Sequence, residues 1–267
     1  MNVHHSTNIH TSAIVEKGAI IGKNCTVGPF CYLGSEVVLS ENTTLISHVS
    51  ITGDTLIGEN TKIWPFASIG HEPQDLKFSG EKTKLIIGQN NKIRESVSIN
   101  PGTAGGGGIT LIGDNCLFML GSHVAHDCQI GNNVVIANNG SIAGHVTIKD
   151  NVTIGGLSGI HQFCRIGEGA MIGAVTMVTK DVIPYGMIIG DRSALAGINL
   201  IGLKRRGFSN KEILEFQKDY DELFNGIGNL REKAEKIAYS TDRILTKQVS
   251  EFILADSSRK IVTPFRS

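Results

Sequence analysis

An aliphatic side chain recurs at every sixth position over most of the chain. The first run is Val3, Ile9, Val15, Ile21, Val27, Leu33, Leu39, Leu45, Ile51, Ile57, Ile63 and Ile69. After an interruption come Ile87, Ile93 and Ile99, and after a second the run resumes at Ile112 and continues to Val178. Two residues before each one there is usually a small side chain or Val, as at Ala19, Cys25, Val37, Thr43, Thr61 and Ala67. In a strand these two positions share a face and the residue between them points the other way. Gly, Asn or Asp often follows the aliphatic residue, as a tight corner requires. The repeat predicts a mainly β fold, a parallel β-helix in which each hexad forms one flat side of a coil.

Past Val178 the pattern fades through Pro184 and Tyr185, and the period changes. Ser209-Asn210-Lys211-Glu212 is a capping-box signal, with Ile213, Leu214, Phe216, Tyr220, Leu223 and Phe224 following at helical spacing. A short helix ending at Gly207 should precede it, and two more should follow near 230–239 and 247–255. Residues 1–190 are therefore expected to form a hexapeptide-repeat β-helix, with loops near 70–84 and 100–109. Residues 191–267 are expected to form a C-terminal α-helical domain. Packed on the last coil, it would cover strand edges otherwise left unpaired.

Composition narrows the function. Lys plus Arg and Asp plus Glu both number 25, so no global basic field favours nucleic acid. The amino terminus lacks an apolar stretch of signal-peptide length and no run approaches a membrane span, so a cytoplasmic protein is expected. Cys25, Cys31, Cys116, Cys128 and Cys164 all fall on the small inward position of their hexads, and no CxxC pair occurs. They read as core filler in a reducing compartment rather than as disulfides, zinc ligands or a nucleophile.

If three hexads make a coil, residues 18 apart stack at about the 4.8 Å strand spacing. Ile69, Ile99, Val124, Ile142, Ile160 and Val178 then form one column, and both loops leave from the same corner. His126, Gly144 and Gln162 stack at that corner, with Asp127 and His145 beside them. His123 and His161 point outward from neighbouring strand positions, so four of the nine histidines converge under the two loops. Two chemistries suit them. Trimeric β-helices can collect histidines from neighbouring subunits as zinc ligands, and a neutral imidazole can act as a general base. Zinc hydrases of the γ-type carbonic anhydrase kind carry an H-x4-H pair, which occurs here only at His5 and His10, far from the loops. That favours the base. A passive ice-binding solenoid would want a flat Thr ladder without loops or histidines.

The segment Ser122-His123-Val124-Ala125-His126-Asp127-Cys128 also carries a resemblance. Together with Ile160-His161-Gln162-Phe163-Cys164, Gln74-Asp75-Leu76-Lys77 and Gly202-Leu203-Lys204-Arg205-Arg206-Gly207-Phe208, it resembles the acyl-[acyl-carrier-protein]:UDP-N-acetylglucosamine O-acyltransferase family of lipid A biosynthesis. The likeness runs over essentially the whole chain. It implies a left-handed helix, a homotrimer with clefts between subunits, and no metal or other cofactor. The acyl carrier protein thioester is then a co-substrate. The implied reaction moves an acyl chain, usually 3-hydroxylated, to the glucosamine 3-hydroxyl of UDP-N-acetylglucosamine, the first step of lipid A biosynthesis.

The resemblance also implies roles. His126 matches the general base, Asp127 its orienting partner, and the Gly144 N–H the oxyanion donor. Asp75, Lys77 and His123 match residues around the sugar and acyl chain. His145 and His161 line the same cleft, and Gln162 matches a nucleotide contact. Asn199, Arg205 and Arg206 match the nucleotide end, where an Arg fork suits phosphate. Ala174 matches the position that measures acyl length, with Arg192 close to the far end of the chain. Two departures stand out: many relatives carry Glu where Ile201 stands and His where Arg192 stands. The related N-acyltransferase of the same pathway has a separate domain before its hexads, whereas the hexads here begin at Val3.

Overall fold

The computed structural model describes residues 2–265. Met1, Arg266 and Ser267, which carry the expected outer domain limits, and the side chain of Val3, expected to point inward, lie outside what it describes. Short strands, mostly of two residues, stack into three parallel sheets that form the sides of a triangular prism. The first sheet runs from Asn2–Val3 to Arg165–Ile166, the second begins at Asn8–Ile9, and the third runs from Ile14–Val15 to Met177–Val178. Before the last coil, where no loop intervenes, each residue pairs with the one 18 further on, as Ile20 with Val38 and Ile21 with Leu39. The architecture is a left-handed parallel β-helix.

The hexad pattern is a burial pattern. Ile21, Leu39, Ile57, Ile87 and their equivalents are enclosed in the prism, and Ala19, Cys25, Thr43 and Ala67 are buried beside them. Each such aliphatic side chain contributes roughly 1.5–3 kcal/mol by leaving water. Most polar residues at the small position are satisfied locally, the buried Ser122 hydroxyl being an exception. Asn91 Nδ2 donates to the Gly88 and Gly113 carbonyls at 2.8 and 2.9 Å, and its Oδ1 accepts from the Cys116 N–H at 2.7 Å.

At most corners the third residue after the aliphatic one takes a left-handed backbone. Where the first sheet turns into the second this residue is asparagine in seven coils, from Asn24 to Asn151. Asparagine tolerates that conformation well. The corner from the second sheet to the third instead holds Phe30, His48 and Phe66. The corner from the third to the first holds Asp127, His145 and Phe163, with φ of 59°, 62° and 63°. Both loops leave from this last corner, after Ser68–Ile69 and Ser98–Ile99, and each returns as a lengthened strand of the first sheet, Lys84–Ile87 and Ile109–Ile112. The Lys84 ammonium pairs with Asp54 at 3.1 Å where the first loop comes back.

The solenoid ends later than the periodicity suggests. Gly186–Ile189 adds in parallel to Met171–Ile172, and Ala194–Ile198 then folds back antiparallel on it. The boundary expected at 190 therefore falls inside a closing hairpin, whose reversal destroys the six-residue spacing before the sheet itself stops. Helices α1 (Leu200–Arg205), α2 (Asn210–Asn225), α3 (Leu230–Ser240) and α4 (Ile244–Leu254) follow. Ser209 and Glu212 form the reciprocal capping box of α2, and α4 begins at Ile244 rather than 247. Leu203 of α1 and Phe216 of α2 are buried, and the enclosed Tyr185 of the last coil meets Phe216 and Phe208 edge to face. Ile261 bridges to Asp181, so the chain end returns to the solenoid.

Candidate active site

Three successive coils of the third sheet build the site. Ser98, His123, Ser141 and Gly159 pair in one outward row, and Ile99, Val124, Ile142 and Ile160 anchor the inward row. The turns that follow present His126 and Asp127, then Gly144 and His145, then Gln162 and Phe163. The His145 N–H donates to the His126 carbonyl at 3.0 Å and the Phe163 N–H to that of Gly144 at 3.2 Å, which locks the three turns in register.

His126 and Asp127 form a dyad. His126 Nδ1 lies 2.8 Å from Asp127 Oδ2, so the ring proton sits between them and Nε2 keeps a free lone pair. The Asp127 carboxylate has almost no exposed surface and is held from above by the second loop. Thr103 N–H donates to Oδ1 at 2.8 Å and Thr103 Oγ1 to Oδ2 at 2.6 Å. The 3-10 turn Ala104–Gly106 presses so close that a Cβ on Gly106 would stand 2.0 Å from Asp127 Cγ. One coil on, a Cβ on Gly144 would lie 2.5 Å from His126 Cε1, so the imidazole can occupy its place only over a glycine. The Gly144 N–H donates to no backbone carbonyl among the described residues, unlike that of His145 beside it.

His145 stands edge-on to His126 at 5.0 Å and stacks on Phe163 at 4.5 Å. Burial pulls its pKa below 6.5. The Asp127 charge opposes that shift, with weaker effects of His126, Asp75 and Lys77. The Asp75 carboxylate accepts the Lys77 N–H at 3.0 Å, which turns the loop tip. His123 Nδ1 is 2.7 Å from Ser98 Oγ, and burial lowers its pKa as well. The two loops are tied together. Asn100 Nδ2 donates to the His71 carbonyl at 3.1 Å, and Glu81 accepts the Ala104 N–H at 3.1 Å. Backbone donors hold the Glu81 carboxyl at about 2, well below the usual range. An open groove of about 450 Å³ results, lined by Gln74, His123, His126, Gly144, His161 and Gln162. A larger hollow of about 590 Å³ under the first loop, around His71 and Phe78, contains none of the predicted residues.

Other predicted residues lie at other corners. Asn199 Oδ1 caps α1 by accepting the Gly202 N–H at 2.9 Å, and its Nδ2 donates to Gly169 O at 3.0 Å. Arg206 pairs with Glu168 and stacks over Tyr185 and Phe208. Both therefore sit where the first sheet turns into the second, and Arg205 ends the same short helix. Ala174 follows Met171–Ile172, and Arg192 lies in the turn of the hairpin stacked on that strand, so both mark the corner from the second sheet to the third. Sequence reasoning missed Thr103, Phe163 and Arg259, whose Nη2 is 2.9 Å from His161 Nδ1. Phe163 was detectable, because it is 18 residues beyond His145. Thr103 lies in a loop without periodicity, and nothing in the tail's sequence pointed Arg259 back to the coil.

One atom each from His126, Asp127 and His145 falls within 4.8 Å of the others, close enough to suggest an ion. Yet both Asp127 oxygens already accept hydrogen bonds, and coordination would break the dyad. The donor set fits a hydrogen-bonded base better than a metal centre.

Residues 109–144 match a family profile described as bacterial transferase hexapeptide (six repeats), and residues 181–262 match Udp N-acetylglucosamine O-acyltransferase, domain 2. The acyl-[acyl-carrier-protein]--UDP-N-acetylglucosamine O-acyltransferase of Paracoccus denitrificans (strain Pd 1222) is 54% identical over 202 residues, 76% of this chain and 77% of that one. The chain belongs to the acyl-[acyl-carrier-protein]--UDP-N-acetylglucosamine O-acyltransferase family. A family member from Rhizobium leguminosarum bv. trifolii (strain WSM2304) is 45% identical over 86% of this chain and 85% of its own. The fold agrees over nearly the full length. A UDP-N-acetylglucosamine acyltransferase crystal structure superposes with a TM-score of 0.93 at 42% identity, covering 97% of this chain and 100% of that one. The enzyme from Campylobacter jejuni gives 0.91 at 35% identity, covering 97% and 100%.

Proposed function

We propose that this family member transfers an acyl chain from acyl carrier protein to the glucosamine 3-hydroxyl of UDP-N-acetylglucosamine, with His126 as general base. The observation that carries the catalytic part is the dyad: Asp127 Oδ2 accepts the Nδ1–H hydrogen bond at 2.8 Å and leaves Nε2 as the free base. The sugar hydroxyl gives its proton to Nε2 as its oxygen bonds to the thioester carbon. Asp127 stabilises the imidazolium so formed. The carbonyl oxygen becomes an oxyanion, and the Gly144 N–H on the next coil supplies a donor for it. Collapse breaks the carbon–sulfur bond, and the imidazolium returns the proton to the departing carrier thiolate. No metal or other cofactor enters this scheme.

The working unit in this reading is a homotrimer with clefts between subunits. Two observations support it. The predicted site residues occupy three different corners of one prism, so a complete cleft needs residues from a second copy. Apolar surface is also laid out in rows. Phe30, His48 and Phe66 stack with ring centroids 4.9 and 5.1 Å apart, both phenyl rings more than half exposed, and Ile20, Val38 and Leu56 face outward on the first sheet. No helix among the described residues is long and apolar enough to cross a membrane. Five buried free cysteines suit a cytoplasmic location.

The test is mass spectrometry of products formed from a panel of even-numbered acyl carrier protein thioesters and either UDP-N-acetylglucosamine or its 3-amino analogue. Transfer to the 3-position is expected. His126→Ala should lower turnover by roughly 10²- to 10⁴-fold while the melting temperature holds. Ala174→Gly should extend the preferred chain and Ala174→Met shorten it. Near-normal turnover by His126→Ala would remove the assigned base, and loss of wild-type activity to a chelator with recovery on zinc would replace it with a metal.

A further inference from the structure

Arg259 lies beyond α4, in a segment pinned to the last coil. The Asp181 N–H donates to Lys260 O and the Val262 N–H to Asp181 O, both at 2.8 Å. From there its guanidinium reaches the catalytic corner, with Nη2 at 2.9 Å from His161 Nδ1. A guanidinium can only donate. His161 Nδ1 is therefore the accepting nitrogen and carries no proton. The competing contact, from Nδ1 to the Gln162 carbonyl, is longer at 3.3 Å and would need a proton on that nitrogen. Such a proton would face the Arg259 donor at close range. The ring proton of neutral His161 belongs on Nε2.

His126 has the opposite arrangement. Its proton is on Nδ1, against Asp127, and its lone pair is on Nε2. The two imidazoles line one groove. One is set to accept and the other to donate, and each is fixed by a charged neighbour. We propose that Arg259 is a positioning residue that fixes His161 as an Nε2–H donor to an acceptor oxygen of the bound sugar nucleotide. The proposal rests on the acyl-transfer reading for the identity of the ligand. The tautomer itself follows from the contact alone.

Nitrogen NMR of enzyme labelled on histidine reads the tautomer directly, with the His161 signals assigned by their loss in His161→Gln. Wild-type enzyme should show a protonated, pyrrole-like Nε2 and a bare, pyridine-like Nδ1. Arg259→Ala should mix the two tautomers and raise the calorimetric Kd for UDP-N-acetylglucosamine about tenfold, the scale of one hydrogen bond involving a charged group. Arg259→Lys keeps a donor and should restore both readings, which a merely loosened chain end would not do. A proton found on Nδ1 in the wild type overturns the proposal, as does Arg259→Ala with tautomer or Kd unchanged. Wild-type enzyme that shows the tautomer and binds the sugar nucleotide but transfers no acyl group fails the acyl-transfer reading and leaves this proposal standing. Absence of sugar-nucleotide binding overturns both.

Discussion

Burial sets the charge state of three histidines under and beside the two loops. His71, His123 and His145 all have pKa values drawn below the ordinary 6.5, with burial the largest cause in each. His123 and His145 stay neutral near pH 7, so the corner does not fill with positive charge beside His126. The same shifts govern stability. On acidification below about 6.5 the unfolded chain takes up protons at these positions that the folded chain resists. The unfolded state then binds more protons, so stability is present above that value and is lost as pH falls toward the depressed values. His71 separates this effect from catalysis. It lies outside the groove, and its Nε2 is 2.9 Å from Ser50 Oγ, a contact glutamine can also make. His71→Gln should lose less of its urea midpoint than the wild type between roughly pH 7.5 and about pH 5.5. Equal losses in the two proteins would show that His71 carries none of the acid sensitivity.

Among the elements, the second loop is what turns an exposed corner into a held dyad. Thr103 supplies two donors to Asp127, and Gly106 lets the turn close over the carboxylate. Gly106→Ala should lift the turn by the room a methyl needs. The expected result is a fall in kcat of at least about tenfold, since small misplacements of positioned groups cost rates of that order or more. The melting temperature should move little, because the loop adds no residue to the prism core. An unchanged kcat would mean the loop only covers the dyad. What the sequence reveals divides along the same line. Six-residue spacing made the coils legible, and stacking every third hexad placed His126, Asp127, Gly144 and His145 at one corner under both loops. Those positions obey a lattice, so arithmetic locates them. Thr103 and Arg259 reach the site from segments outside the lattice. The end of the solenoid was misplaced for a related reason: the hairpin Gly186–Ile198 continues the sheet by antiparallel pairing, which has no six-residue signature.

For the whole molecule, the prism separates the residues that the proposed reaction assigns to one site. His126 lies at the corner from the third sheet to the first. Arg205 belongs to the short helix whose cap, Asn199, is tied to Gly169 at the corner from the first sheet to the second. Its neighbour Arg206 is engaged by Glu168 within the chain, which leaves Arg205 the better candidate to reach a nucleotide held by another copy. If clefts form between subunits, each takes its base from one chain and its Arg205 from the next. Two crippled chains should then complement each other. Arg205→Ala should weaken sugar-nucleotide binding by about 1.5–3 kcal/mol through loss of a charge-assisted contact, so its trimers are slow well below KM. His126→Ala trimers are slow at any substrate level. In trimers assembled from equal amounts of the two, a cleft is intact when it draws His126 from the Arg205→Ala chain and Arg205 from the His126→Ala chain. Random cyclic assembly gives that pairing in about a quarter of clefts, so mixing should restore about a quarter of wild-type activity. Were both residues supplied by the same chain, every cleft would lack one of them, and no mixture would exceed the average of the two parents.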